Sequence, residues 1–279
     1  MDSIELIFFW LAMALYAAAS GGYIYALVFR NVRVFGKLRV LVVLGLILHT
    51  LAIAARFRAT GRLPWSGDYE NSLTGGFFII VLFAWTFFKR KDLQPVGVVI
   101  MPATLLLMGF GVMRSPSLTP MAASLKTFWL YIHVYFAMIS FGAYTLAMGA
   151  GAVLLTMIRR EKRHAEPHPF FDFLPDKARL DELTFRYVVF GFITDAIMIV
   201  AGAIWAKDLW GSYWSWDPVE TWSLISWLVY AFAIHARLTL GWKMERFALV
   251  TVLALITVFI SYFGVTFIVE SSIHAFSVR

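Results

Sequence analysis

Eight apolar runs, each long enough to cross a bilayer, decide most of what this chain can become. Taking runs of at least about 17 residues as spans, they fall at 4–29, 40–58, 72–88, 94–113, 131–158, 187–205, 222–240 and 246–269. Water is absent from the hydrocarbon, so every backbone polar group there must be satisfied within the protein, and runs of this length read as helices. Hydrophobic residues make up 61% of the sequence and charged ones 15%, which excludes an ordinary soluble domain of this size. The expected fold class is all-α and integral to the membrane. One polytopic domain over residues 1–279 is expected, a bundle of about eight transmembrane helices. Asp2 and Glu5 stand at the start of the first run, which is about 25 residues long and has no small-residue cleavage pattern, so it is expected to remain as a membrane helix.

Charge orients the bundle. The loops 30–39, 89–91, 159–186 and 241–246 hold 16 of the 24 Lys and Arg, and the positive-inside rule puts them in the cytoplasm, with both termini outside. The formal charge of +7 therefore reads as orientation in the plasma (inner) membrane and not as a footprint for nucleic acid. Arg56, Arg58 and Arg62 make the first external loop unusually basic. There is no cysteine, so the chain forms no disulfide and cannot fix a haem to itself through thioethers.

Trp210 to Trp227 read WGSYWSWDPVETWSLISW, with five tryptophans in eighteen positions. Such a cluster suits either a membrane interface or a flat aromatic ligand. Gly211 permits a tight backbone, Asp217 is placed to cap a helix that Pro218 opens, and Glu220 completes a capping-box signal. A rigid aromatic loop running straight into a helix is expected. Ahead of the fifth span, Thr119 and Pro120 read as N-cap and N1, and Leu118, Met121, Leu125, Phe128 and Ile132 recur at helical spacing. They predict a short amphipathic helix on the outer surface, with His133 where it meets the fifth span.

The pattern WGSYWSWDPVETW resembles the tryptophan-rich WWD signature of the haem-handling membrane proteins of cytochrome c maturation. Over most of residues 40–279 the chain is most similar to the CcsA/ResC type of System II. The resemblance implies haem b as the bound molecule and a haem-handling loop at about 207–227. Trp210, Gly211, Trp214, Trp216, Asp217 and Trp222 would form its surface. The family's two external histidines fall on His133 and His274. Two imidazoles over an aromatic shelf also meet the requirement of six-coordinate iron. The family's histidine for a haem within the bilayer falls on His235, with its second ligand expected on a CcsB/ResB-type membrane partner. The function implied is that of a subunit of a membrane cytochrome c synthase, presenting haem outside the cell membrane to a CxxCH apocytochrome c. No catalytic residue is legible. The alternatives are CcmC-type delivery of haem to a chaperone, a cytochrome b-like electron carrier, and a transporter.

Other polar residues carry further expectations. His49 is the rival second ligand to His235, but helical rise puts the two roughly 15 Å and roughly 8 Å from the inner boundary, so a packing or hydrogen-bonded role is favoured for it. Asp195 lies mid-span where the family more often has a small residue, and Arg237 or His235 are candidate partners. Tyr69, Glu70 and Asn71 stand where the family commonly has a YES-like triplet. The basic loop before them is either a polar turn or a holder of a partner or haem propionate. Lys207 and Arg114 also suit propionates, whereas Asp217 and Glu220 read mainly as caps. His164 and His168 read as solvated loop residues.

Overall fold

A computed structural model describes residues 3–114 and 127–264. These residues form nine α-helices: α1 (Ser3–Val28), α2 (Phe35–Thr60), α3 (Asp68–Lys89), α4 (Gly97–Arg114), α5 (Phe128–Lys162), the single turn α6 (Pro169–Asp172), α7 (Lys177–Trp210), α8 (Pro218–Thr239) and α9 (Glu245–Phe259). Short 3-10 turns join α1 to α2 and α3 to α4, and one π turn follows α9. The all-α bundle is the architecture that the apolar runs predict. Among the described residues, seven helices are long and apolar enough to cross a membrane. α8 is not one of the seven; its sequence carries Glu220 in the first turn and His235 and Arg237 toward its end. The surface helix expected from Leu118 lies largely outside the described residues. Its last two positions, Phe128 and Ile132, belong to α5, which Thr127 caps by accepting the Leu130 N–H at 3.2 Å.

Helix ends follow the local chemistry. α2 stops where Gly61 turns left-handed at φ 67° and donates its N–H to the Phe57 carbonyl. Asp176 caps α7 by accepting from the Arg179 N–H. α5 and α7, at 35 and 34 residues, run about 50 Å by helical rise and extend past the bilayer core into the basic loops.

Packing divides the bundle into two halves. α1 to α4 pack on one another, as do α5, α7, α8 and α9, and α5 joins the halves by lying against α3 and α4 as well as α7 and α9. Buried residues recur at steps of three and four along α1 (Phe9, Ala12, Tyr16, Ala19, Tyr23, Ala26) and α2 (Phe35, Leu38, Val42, Gly45, His49, Ala52, Arg56). At one face of the bundle lie the ends that carry Arg56, Glu70 and Trp210. At the other, Lys162 pairs with Glu245, and Arg237 pairs with Asp181 at 2.8 Å.

Candidate functional site

The tryptophan segment is built as a stiff turn between α7 and α8. Gly211, at φ 78°, ends α7 in the left-handed conformation, and the Lys207 ammonium donates to the Gly211 carbonyl at 2.7 Å. Glu220 then gathers the loop from below. Its Oε2 accepts the Ser215 N–H (2.8 Å), the Ser215 hydroxyl (3.1 Å) and the Asp217 N–H (3.3 Å). Asp217 accepts the Val219 N–H at 2.9 Å, so the capping box read from the sequence is formed. Both carboxylates are thereby occupied in holding the loop. Trp216 adopts φ 60°, a strained value for a bulky residue, and its ring stands 70% exposed, edge-on to Trp214 at 5.9 Å. The buried indole N–H of Trp214 meets no acceptor among the described residues. Tyr213 is also exposed, and Trp210 and Trp222 are half-buried.

His133 sits beneath this loop, in the second turn of α5. Its Nδ1 lies 2.9 Å from the Met198 carbonyl of α7, so the imidazole donates there and carries its lone pair on Nε2. A backbone carbonyl holding one ring nitrogen is the usual way a metal-binding histidine is oriented. The close approach depends on Gly202, since a Cβ at that position would fall 2.7 Å from Nδ1. The Trp205 ring lies 6.3 Å from His133 and 5.4 Å from Trp210, linking the histidine to the loop. Around them Trp65, Trp129, Leu130, Val134 and Met138 form a satellite apolar cluster, separate from the main core. An apolar cleft of about 460 Å³ opens beside it, lined by Trp129, Ile132 and Phe136 of α5 and Ala196, Ile197, Val200 and Ala201 of α7. Trp65, Trp205 and Gly202 were not singled out by the sequence. Trp65 sits in a polar loop and Trp205 and Gly202 in an apolar run, and none of the three positions gives a signal of the neighbour it meets from another helix.

A family model described as Cytochrome C assembly protein matches residues 65–273, which include the loop and His133. The chain belongs to that family. Its relatives are of the CcsA type. It is 34% identical to "Cytochrome c biogenesis protein CcsA" of Guillardia theta, over 81% of this chain and 81% of that one. The namesake of Synechococcus sp. (strain CC9902) is 33% identical, over 82% and 83%, and that of Chlamydomonas reinhardtii 32%, over 83% and 66%. The fold is also that of a solved structure, "Cytochrome c Heme Lyase CcmF", with a TM-score of 0.72 at 18% identity. The match covers 94% of this chain and 47% of that one, so this chain spans about half of that structure. This is thus an integral membrane protein of cytochrome c biogenesis, of CcsA type.

The other histidines that the sequence offers as ligands of this CcsA-type chain fall in three groups. His274 lies outside the described residues. His235 is exposed on the outer face of α8, toward the basic end and well away from the loop, with Nδ1 3.3 Å from the Thr239 hydroxyl. His49 is fully buried in the other half. It accepts from the Tyr16 hydroxyl at Nδ1 (3.3 Å) and donates from Nε2 to the Leu73 carbonyl (2.9 Å), so both ring nitrogens are used within the fold. The structure does not bring His49 and His235 together.

Several polar residues have other partners than the sequence suggested. Asp195 is not paired with Arg237 or His235; it accepts from the Tyr144 hydroxyl at 3.2 Å, while Arg237 bonds Asp181 and Glu182. The basic loop is a structural lock. Arg56 pairs with Glu70 (2.9 Å) and Glu5 (3.4 Å), Arg62 pairs with Glu70 (2.6 Å), and the Tyr69 hydroxyl donates to Glu5 (2.8 Å). Arg114 pairs with Asp68 at 3.0 Å. His168, expected to be solvated, is buried. Its Nδ1 accepts the Phe170 N–H at 3.3 Å to start α6, and burial together with nearby Arg160 and Arg30 holds its pKa below the usual histidine value.

Proposed function

We propose that this chain holds haem on its tryptophan-rich face, with His133 and His274 as axial ligands, and presents it there to a CxxCH segment of an apocytochrome c. The observation that carries this reading is His133 itself. Its imidazole is fixed by a backbone carbonyl, next to Trp205, under a braced loop of exposed aromatic faces. The donor set fits the group. Neutral imidazole suits haem iron, flat indoles suit the macrocycle, and the buried Trp214 N–H needs an acceptor such as a propionate. Haem brings vinyl groups as the carbon atoms on which thioethers form. The chain's part is to orient the imidazole, shield the flat faces and hold the edge outward. A chain without cysteine leaves the thiols to the client.

His235, exposed on α8, is suited to share a second haem within the bilayer with a histidine of a CcsB/ResB-type partner. In this reading the basic face is cytoplasmic and the loop external. The engagement of both His49 nitrogens counts against a cytochrome b-like carrier, which needs histidine pairs inside one bundle. The experiment is the absorption spectrum of the detergent-purified protein, co-expressed with its CcsB-type partner. His133→Ala and His274→Ala are expected to change one haem component and His235→Ala another. Unchanged spectra in all three variants would sink the ligand assignments.

A further inference from the structure

One polar group inside the bundle is used by neither haem position. Asp195 is 3% exposed, halfway along α7. The titratable groups that face it are three tyrosines: Tyr144 of α5, which bonds it, Tyr230 of α8, and Tyr262 beyond α9. No Lys, Arg or His among the described residues pairs with it. A buried carboxylate with no cation is costly, so its charge depends on whether it holds a proton and on charges nearby.

The surroundings are built. Gly191 leaves room for the Tyr144 ring, since a Cβ there would come within 2.6 Å. That ring stacks on Tyr230 at 3.6 Å and 8°, and the buried Tyr230 hydroxyl has no hydrogen-bond partner among the described residues. Toward the tryptophan face, the Tyr262 hydroxyl donates to the Ala137 carbonyl at 2.9 Å and lies 3.2 Å from the Ser140 hydroxyl. The register joins this cluster to the candidate site. His133, Ala137, Ser140 and Tyr144 share one face of α5, and Gly191, Asp195, Met198 and Gly202 share the facing side of α7. Asp195 is thus one turn from the carbonyl that holds His133, with hydroxyls strung along the same seam.

We propose that Asp195, in its tyrosine cage, is an intramembrane proton-binding site that offsets the charge of iron bound at His133. Asp195 takes up one proton as the iron accepts one electron from an external reductant such as dithionite, and releases it on oxidation. Net charge in the seam then stays constant. This rests on the ligand reading above.

The test is a spectroelectrochemical titration of the haem-loaded complex across pH, for wild type, Asp195→Asn and Asp195→Glu. The potential is expected to fall with rising pH in wild type and Asp195→Glu, and to be independent of pH in Asp195→Asn. The same slope in Asp195→Asn, or no slope in wild type, overturns the proposal. Infrared spectra of the haem-free protein on acid titration separate the two readings. A C=O band of one buried carboxyl is expected in the wild type minus Asp195→Asn difference spectrum, and no such difference band overturns the proton site whatever the haem does. If His133→Ala leaves the haem spectrum unchanged, the ligand reading fails while this band still decides on Asp195. Should Asp195→Asn not fold, Tyr144→Phe keeps the stacked ring and is expected to shift the band; an unshifted band counts against the proposal.

Discussion

His49 and His133 make the same bond, a ring nitrogen 2.9 Å from a backbone carbonyl on a neighbouring helix, yet the two halves of the bundle put it to different ends. In the α1 to α4 half the second nitrogen is taken by Tyr16 and the ring is wholly enclosed, edge-on to Phe77. The nearby charges are consumed in the same manner, with Arg56, Arg62, Glu5 and Glu70 satisfying one another. The α5 to α9 half leaves Tyr213 and Trp216 of the tryptophan loop exposed and seats its histidine half-buried beneath that loop. In the first half the histidine serves the fold, and in the second it lies under the loop of the proposed haem site.

The largest expected effect is on the first half. Arg56→Ala leaves Glu5 buried without its cation and Glu70 with Arg62 alone, so it should destabilise the protein by about 3–5 kcal/mol, seen as a lowered unfolding temperature and reduced yield in detergent. Molecules that do fold should keep a wild-type haem spectrum. A second contrast pairs the histidines. His49→Ala leaves the buried Tyr16 hydroxyl without its acceptor and should cost about 1–3 kcal/mol without changing the haem signal, whereas His133→Ala should remove an iron ligand with little effect on unfolding. An equal spectral change in both would erase the distinction drawn here.

Gly202→Ala sharpens it further. The added Cβ would meet the His133 ring and push it from the Met198 carbonyl, so the spectrum should move toward that of His133→Ala. The stability cost of such overpacking is about 1–3 kcal/mol. Glu220→Ala should cost about 1 kcal/mol as a lost cap and loosen the loop it gathers, raising amide exchange at Ser215 and Asp217.

The smallest effect concerns His168. Its folded pKa is depressed, so the stability it contributes is present above the unfolded value of about 6.5 and is lost as pH falls below it. The protection factor of the Phe170 amide, its exchange rate relative to the intrinsic rate at each pH, should fall on acidification, and that fall should be lost in His168→Asn.

The parts legible in the sequence were those set by neighbours along the chain. The apolar runs announced helices, and Gly211, Asp217, Pro218 and Glu220 announced how α7 ends and α8 begins, since capping is completed within a few residues. The buried lock was not legible, because Arg56 meets Glu5 across 51 residues. Nor was the narrow inner stripe of α1 and α2 visible. In a membrane the lipid-facing side is as apolar as the core-facing side, and no amphipathic pattern marks which is which. The same uniformity hid Gly202 and Trp205, whose importance comes only from the ring each meets.

α5 carries His133 near one end and Lys162 at the other, and it is the main strut between the halves. Mechanically it is a lever. Over about 50 Å of helix, a tilt of about 2° moves the far end by nearly 2 Å, enough to unseat a salt bridge. A rigid tilt of α5 at the His133 end would therefore carry the ammonium of Lys162 away from the carboxylate of Glu245 on the opposite surface.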